Sequence, residues 1–202
     1  MRRVAVMFGL LALLLPMAAW ADGIDLTNQF GTVTITNAGI VSRGSELMSF
    51  NGIKAPRGRS LGSVNFSTGA LASGSIWSGG TFSSAGSSFI VTGVGGYGQP
   101  KGVIFSGAFV GPISWTVVSQ TGRNNYVFAL SGKIQGQLWT GRTVSGTTTQ
   151  TIYAYKNQWV HDNKGGIHLG STHLVPEPGT LGLLGTGLIV VAGTMRRKLF
   201  GS

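Results

Sequence analysis

Gly31-Thr-Val-Thr-Ile-Thr36 is the stretch that decides the fold, because Val33 and Ile35 alternate with three threonines. Strict alternation of apolar and polar residues places the apolar ones on one face of a β-strand. The same two-residue period recurs in three later runs of the chain. Their members on one face are Ile113, Trp115 and Val117; Tyr126, Phe128 and Leu130; and Thr149, Thr151, Tyr153 and Tyr155.

Turn signals lie between these runs, and no segment between them keeps an apolar period of 3.6 residues for three turns. The turn signals include Asn51-Gly52, Ser73-Gly74, Ser131-Gly132 and Ser145-Gly146. The pattern predicts an all-β domain of about nine to twelve short strands, arranged as an antiparallel β-sandwich or jelly roll. Aromatic residues repeatedly follow glycines, which would suit a β-solenoid, but their spacing is uneven. A β-solenoid is therefore the alternative architecture.

Composition limits what this domain can be. The chain has no cysteine, so no disulfide can support the fold, and burial of apolar surface must do so instead. Residues 22–174 are long enough for one core. Ten Lys/Arg against four Asp/Glu give this region a net charge of +6. Its basic residues are scattered, so we predict contact with acidic polymers or membrane surfaces and no nucleic-acid binding.

The N-terminal segment has the three parts of a secretory signal peptide. Arg2-Arg3 is a basic start, Val4 to Leu15 is apolar, and Ala19-Trp20-Ala21 ends in the small residues that signal peptidase requires. Residues 1–21 are therefore predicted to form a signal-peptide helix, exported by the Sec machinery and removed. An uncleaved anchor is the alternative.

The C-terminal segment combines an extended tripeptide, an apolar run and a basic cluster. Leu181 to Met195 contains no charged residue, and as a helix it would span roughly 22 Å of a hydrocarbon core of about 30 Å. Counting from Gly179 lengthens this short transmembrane helix to residues 179–195. The basic residues behind it predict that the C-terminus stays cytoplasmic, and the prolines before it keep that stretch extended and accessible.

Val175-Pro176-Glu177-Pro178, the Gly/Leu-rich run and Arg196-Arg197-Lys198 together resemble the PEP-CTERM sorting domain of Gram-negative bacteria, over about residues 175 to 199. The resemblance assigns residues 175–202 to a sorting and anchor segment. It implies an exosortase as partner, cleavage near Pro176-Glu177-Pro178, and delivery to the envelope or extracellular matrix, often together with exopolysaccharide and biofilm. An ordinary membrane anchor with a chance Pro-Glu-Pro is the alternative.

Residues with catalytic chemistry are sparse. Gly93-Val-Gly-Gly-Tyr-Gly98 matches G-x-G-x-x-G, but a strand-like run follows where a nucleotide fold needs a helix, so we interpret it as a hairpin. A hydrolase would depend on Glu46 with Asp162, or on His161 beside Asp162. His168 and His173 are five residues apart, with no further metal ligand in the segment around them. We predict no catalytic residue, no metal and no cofactor.

The function predicted from these features is that of an exported, non-catalytic envelope or matrix protein with a structural or adhesive role. Two sets of residues are candidates for contact with acidic exopolysaccharide. They are the basic residues Lys54, Arg57 and Arg59, and the aromatic residues Trp139, Tyr153, Tyr155 and Trp159. Core packing is the alternative for the aromatic set. A secreted hydrolase and a permanently anchored periplasmic protein are the other functions left open.

Overall fold

The computed structural model describes residues 23–156 and 164–176, and Gly23–Pro176 forms one compact unit. Within the described residues the regular structure consists of eleven β-strands. They are β1 (Ile24–Thr36), β2 (Gly39–Phe50), β3 (Ile53–Lys54), β4 (Gly62–Ser67), β5 (Leu71–Ser75), β6 (Gly79–Phe82), β7 (Ser88–Gly96), β8 (Gln99–Thr121), β9 (Asn125–Leu138), β10 (Thr143–Tyr155) and β11 (Lys164–Pro176).

Eight of these strands close into a barrel. Their order is β8-β7-β4-β2-β1-β11-β10-β9, and β9 pairs back with β8. Every pairing is antiparallel. The all-β prediction is confirmed, whereas a sandwich, a jelly roll and a solenoid are all wrong. A sandwich leaves open sheet edges, but here β1 pairs with β11 and the ring has none.

The three remaining strands are attached to the barrel. β3 continues from β2 as a short hairpin, through Asn51 and Gly52 with φ of 47° and 83°. Two central residues with positive φ form the turn that suits the twist of a hairpin, and the prediction of a turn here is confirmed. β5 and β6 form a second hairpin, which pairs with the later half of β8.

The predicted signal-peptide helix over 1–21 and the membrane helix over 179–195 lie outside the described residues. In the part of the chain that is described, no helix has the length and apolar character needed to span a membrane.

The alternating residues of the barrel strands fill its interior, as the sequence predicts. Val33, Ile35, Ile113 and Trp115 are buried, and so are the aromatic rings that dominate the β4, β7 and β8 side. Those rings are Phe66, Phe89, Phe105 and Phe109, which contact one another at centroid distances of 5.9–6.2 Å.

Several glycines that predicted turns lie inside strands instead. Ser131-Gly132 is part of β9, Ser145-Gly146 of β10 and Ser73-Gly74 of β5. Close packing explains the glycines: a Cβ on Gly132 would lie 2.8 Å from the Phe109 ring, and one on Gly146 would overlap the His173 carbonyl. The number of strands is within the predicted range, but several strands are longer than turn signals predict, and β8 runs for 23 residues.

A buried hydrogen-bond network joins three strands on the other side of the interior. The amides of Asn28 on β1 and Gln150 on β10 face each other, with N···O distances of 2.9 and 3.3 Å. Asn28 Nδ2 also donates to Ser45 Oγ at 2.7 Å, and Gln150 Nε2 to Thr148 Oγ1 at 2.8 Å. All four side-chain N–H groups therefore have acceptors, as buried polar groups require.

Gly170 on β11 makes this network sterically feasible. It pairs with Asn28 on one side and with Gln150 on the other, so the two amides meet over its Cα. A Cβ at this position would overlap Asn28 Oδ1 and Gln150 Oε1.

We expect Gly170→Ala to lower the free energy of unfolding by about 2 kcal/mol or more, because it separates the buried amides and leaves them unpaired. Gly166→Ala on the same strand is the matched control, since its Cβ would lie at ordinary contact distance, 3.4 Å from the Gly31 carbonyl. It should cost less than about 1 kcal/mol. Urea denaturation measures both values, and equal losses would contradict the account of the network.

The barrel has two different ends. At the terminal end, β1 begins and β11 ends side by side, with Ile24 opposite Leu174. The turns at Asn51-Gly52, Tyr97-Gly98 and residues 139–142 belong to this end. At the distal end, β10 reaches Tyr155 opposite Asn125, next to the turn between β8 and β9.

Candidate ligand-binding groove

A groove of about 340 Å³ lies at the distal end, where β8, β9 and β10 run side by side. We call it the tyrosine groove. It is lined by Thr121, Asn125, Tyr126, Val127, Tyr153, Ala154 and Tyr155. Residues 121, 125 and 155 are in register across the three strands, so β pairing itself assembles the lining.

The alternation of β10 decides which residues reach the groove from the outside. Ile152 and Ala154 point into the barrel, while Tyr153 and Tyr155 project outward and are 49% and 52% exposed. Their cross-strand partners are Val127 and Asn125 on β9. Two half-exposed tyrosine side chains therefore lie two residues apart on the outer face of β10.

Tyr126 connects the groove to the aromatic core. Its ring stacks on Phe128 at 5.6 Å and 14°, and Phe128 stacks on Trp115 at 4.2 Å and 15°. Trp77, from the turn between β5 and β6, contacts Tyr126 at 5.2 Å. Stacking on Phe128 and contact with Trp77 restrict rotation of the Tyr126 ring, so this part of the lining is preorganised.

The lining is electrically neutral near pH 7. None of its seven residues is Asp, Glu, His, Lys or Arg. One neighbouring cation is held by a specific contact, since Lys156 Nζ lies 5.6 Å from the centre of the Trp77 ring. The lining itself therefore offers aromatic rings, hydroxyl groups and one amide.

Two neighbouring β-bulges lie on β11 and β1, on the side of β10 away from β9. On β11, a bulge opposite Thr151 and Ile152 brings His168 against the Tyr153 ring at 4.7 Å. On β1, the register shifts around Phe30, which has φ of 62° and is 57% exposed. A bulky residue with positive φ is strained by about 1–3 kcal/mol, and such strain clusters at functional sites.

The structure divides the predicted contact residues between the two barrel ends. Tyr153 and Tyr155 line the tyrosine groove, and core packing is excluded for both. Trp139 is at the terminal end, where it is 47% exposed and meets the Phe50 ring edge-on at 6.1 Å. Lys54, Arg57 and Arg59 are exposed at that same end. Trp159 lies outside the described residues.

Sequence reasoning missed five lining residues, Thr121, Asn125, Tyr126, Val127 and Ala154. The period of β9 groups Tyr126 with the buried Phe128 and Leu130, so the sequence marks it as core. It is indeed half buried, and it reaches the groove only because the barrel ends there. Polar residues at strand ends, such as Thr121 and Asn125, carry no signal that separates lining from turn.

The other candidate residues do not converge on a site. His173 Nδ1 lies 2.6 Å from Asp25 Oδ1 across β1 and β11, and His168 packs on Tyr153. Glu46 is exposed on β2, opposite Ser63 on β4. Asp162 and His161 lie outside the described residues. Within 23–156 and 164–176, no three His, Cys, Asp or Glu side chains are grouped as metal ligands.

Of the predicted sorting and signal-cleavage residues, one lies within the described part of the chain. Pro176 is buried as the last residue of β11, where it pairs with Val144. Ala19, Ala21, Glu177, Pro178, Arg196, Arg197 and Lys198 lie outside the described residues.

We expect the exposed tyrosines to be dispensable for folding. Tyr153→Ala and Tyr155→Ala should each change the free energy of unfolding by no more than about 0.5 kcal/mol, because both rings are half exposed. Phe128→Ala removes a fully buried ring and should cost about 3–5 kcal/mol. Chemical denaturation of the three variants provides the comparison. A large loss at either tyrosine would mean that the ring serves the fold.

Comparison with known proteins gives one match. The family described as the PEP-CTERM protein-sorting motif matches residues 174–198. This confirms the resemblance, and the match begins inside β11. The motif implies an exported protein that is anchored as a precursor and processed by an exosortase, so exosortase is the processing partner. No curated protein and no solved structure matches the chain.

Proposed function

We propose that this exosortase substrate is a non-catalytic protein of the cell envelope or extracellular matrix, whose tyrosine groove binds exopolysaccharide. The observation that carries the proposal is the pair of half-exposed tyrosines on β10, Tyr153 and Tyr155, in a groove that Tyr126 also lines. In this reading the sorting motif delivers the barrel, and the groove gives it an adhesive role in the matrix.

The lining has features that suit a carbohydrate. A sugar ring has an apolar face of C–H groups and a rim of hydroxyls. Tyrosine offers a matching apolar face with a polar tip, and Thr121 and Asn125 add hydrogen-bonding groups beside it. The rings also cost little side-chain entropy, because only two torsions must be fixed in each.

The chemistry of the lining supports binding without catalysis. Hydrolysis of a glycosidic bond uses two carboxyl groups that flank the bond. The seven lining residues include none. Of the acids that the structure describes, Asp25 is paired with His173 at the terminal end, and Glu46 is on β2, outside the lining.

The sorting part of the proposal is tested in the native host. Glu177→Ala should impair processing and leave the barrel folded, because residue 177 follows the last barrel strand. Intact mass of the envelope and secreted forms is the measurement, with and without the exosortase. A product that ends near Pro176 and depends on the exosortase is expected. A protein that keeps residues 179–202 in the inner membrane would instead be a permanently anchored periplasmic protein.

The binding part is tested with purified exopolysaccharide from the native host. The double variant Tyr153→Ala/Tyr155→Ala should bind the exopolysaccharide at least about tenfold more weakly. This corresponds to a loss of about 1.4 kcal/mol of binding free energy from two stacking contacts. Isothermal titration calorimetry provides the affinities. Tyr97→Ala is the matched control, since this tyrosine is 51% exposed but belongs to the terminal end. Unchanged binding by the double variant, or an equal loss in the control, would contradict the assignment.

A further inference from the structure

Five exposed basic side chains ring the terminal end of the barrel, and we call them the basic rim. Lys54 ends the β2–β3 hairpin, Lys101 follows the Tyr97-Gly98 turn, and the others lie in loops between strands. The rim consists of Lys54, Arg57, Arg59, Lys101 and Arg142. Half of the ten Lys/Arg residues between positions 22 and 174 are thus gathered at one end.

Negative charge at this end is sparse among the described residues. The two acidic residues in the described part of the chain are Asp25 and Glu46. Asp25 lies at the terminal end, but its carboxylate contacts His173, while Glu46 is mid-strand, opposite Gln29. The basic rim therefore presents net positive charge, which attracts an anionic surface over about 8–10 Å at physiological salt.

Two exposed aromatic side chains accompany the rim. The Trp139 ring packs edge-on against Phe50, and its backbone N–H donates to the Ile104 carbonyl at 2.9 Å. Tyr97 occupies the tip of the β7–β8 hairpin with φ of 50°. Trp and Tyr beside Lys and Arg are the residues that favour the headgroup region of a membrane.

The covalent path of the chain brings this end close to a bilayer. β11 ends at Pro176, and only Glu177 and Pro178 precede the apolar stretch that begins at Gly179. Two residues with their flanking bonds can span at most about 10 Å. β1 also begins at this end, where the signal segment precedes it. While the sorting segment remains in the membrane, the terminal end is thus within one Debye length of the headgroups.

We infer that the basic rim, with Trp139 and Tyr97, is a docking surface for anionic phospholipid headgroups. The precursor uses it before the exosortase acts, so the inference rests on the proposed anchoring. Docking orients the barrel with its terminal end on the membrane and the tyrosine groove on the far side. An anionic lipid surface is favoured over an acidic polysaccharide because the tether holds the rim at the bilayer and because Trp and Tyr partition to headgroups.

The test uses the full chain after signal removal, reconstituted in nanodiscs of phosphatidylcholine alone or with phosphatidylglycerol. Because the chain has no cysteine, a single fluorophore can be attached through Thr140→Cys at the terminal end or Asn37→Cys at the distal end. Phosphatidylglycerol should protect the label at 140, and not the label at 37, from a water-soluble quencher. Raising salt to about 1 M should remove the protection, because the Debye length falls to about 3 Å.

Two triple variants of equal charge separate docking from a general charge effect. Lys54→Gln/Arg57→Gln/Arg59→Gln should abolish the protection at 140. Arg43→Gln/Arg123→Gln/Lys133→Gln, which removes three exposed charges away from the rim, should retain it. Equal protection in both lipids, or equal effects of both variants, would overturn the inference.

Two other outcomes are distinguishable in the same experiment. Failure of the chain to co-elute with nanodiscs would contradict the anchoring itself, whereas co-elution without protection would contradict only the docking. Binding of a soluble acidic polysaccharide by the rim, without protection on phosphatidylglycerol, would assign the rim to a matrix polymer and overturn the lipid assignment.

Discussion

The rest of the structure depends on the pairing of the first strand with the last. β1 and β11 are more than a hundred residues apart in sequence, and their hydrogen bonds convert an open sheet into a closed ring. We call this β1–β11 pairing the seam. The Asn28–Gln150 amide pair stabilises it, because the pair passes over Gly170 and joins β1 to β10 across β11. Such a polar contact inside an apolar barrel is favourable only in the register that satisfies every donor, so it specifies that register.

Closure at this seam also explains why the two barrel ends differ. Because β1 and β11 are antiparallel neighbours, the chain enters and leaves the barrel at the same end. The signal and sorting segments are attached there, together with the basic rim. The tyrosine groove lies at the other end, where β8, β9 and β10 terminate. In the anchored precursor that the sorting motif implies, the sorting segment is thus attached at the end of the barrel opposite the tyrosine groove.

The sequence predicted the strands better than their arrangement. Alternation placed Val33, Ile35 and Trp115 inside correctly, since a two-residue period is a local property of each strand. The barrel could not be predicted, because closure depends on partners such as Asn28 and Gln150, which are 122 residues apart. Glycines such as Gly132 and Gly146 were misleading, because they mark close packing between strands where a sequence indicates turns. Of the groove, the alternation of β10 placed Tyr153 and Tyr155 on one face without deciding whether that face is outward, and the period of β9 marked Tyr126 as a core residue.

Native-state hydrogen exchange of the Gly170 amide and its neighbours on β1 and β10 tests the closed barrel most directly. If the seam holds the fold together, these amides should exchange only through global unfolding, with a free energy equal to that from denaturation. Denaturant should then accelerate them as steeply as it does the amides of β4 and β7. Faster exchange of β1 and β11 through a separate partial opening would contradict the account, because it would mean that the remaining strands form a stable sheet without the seam.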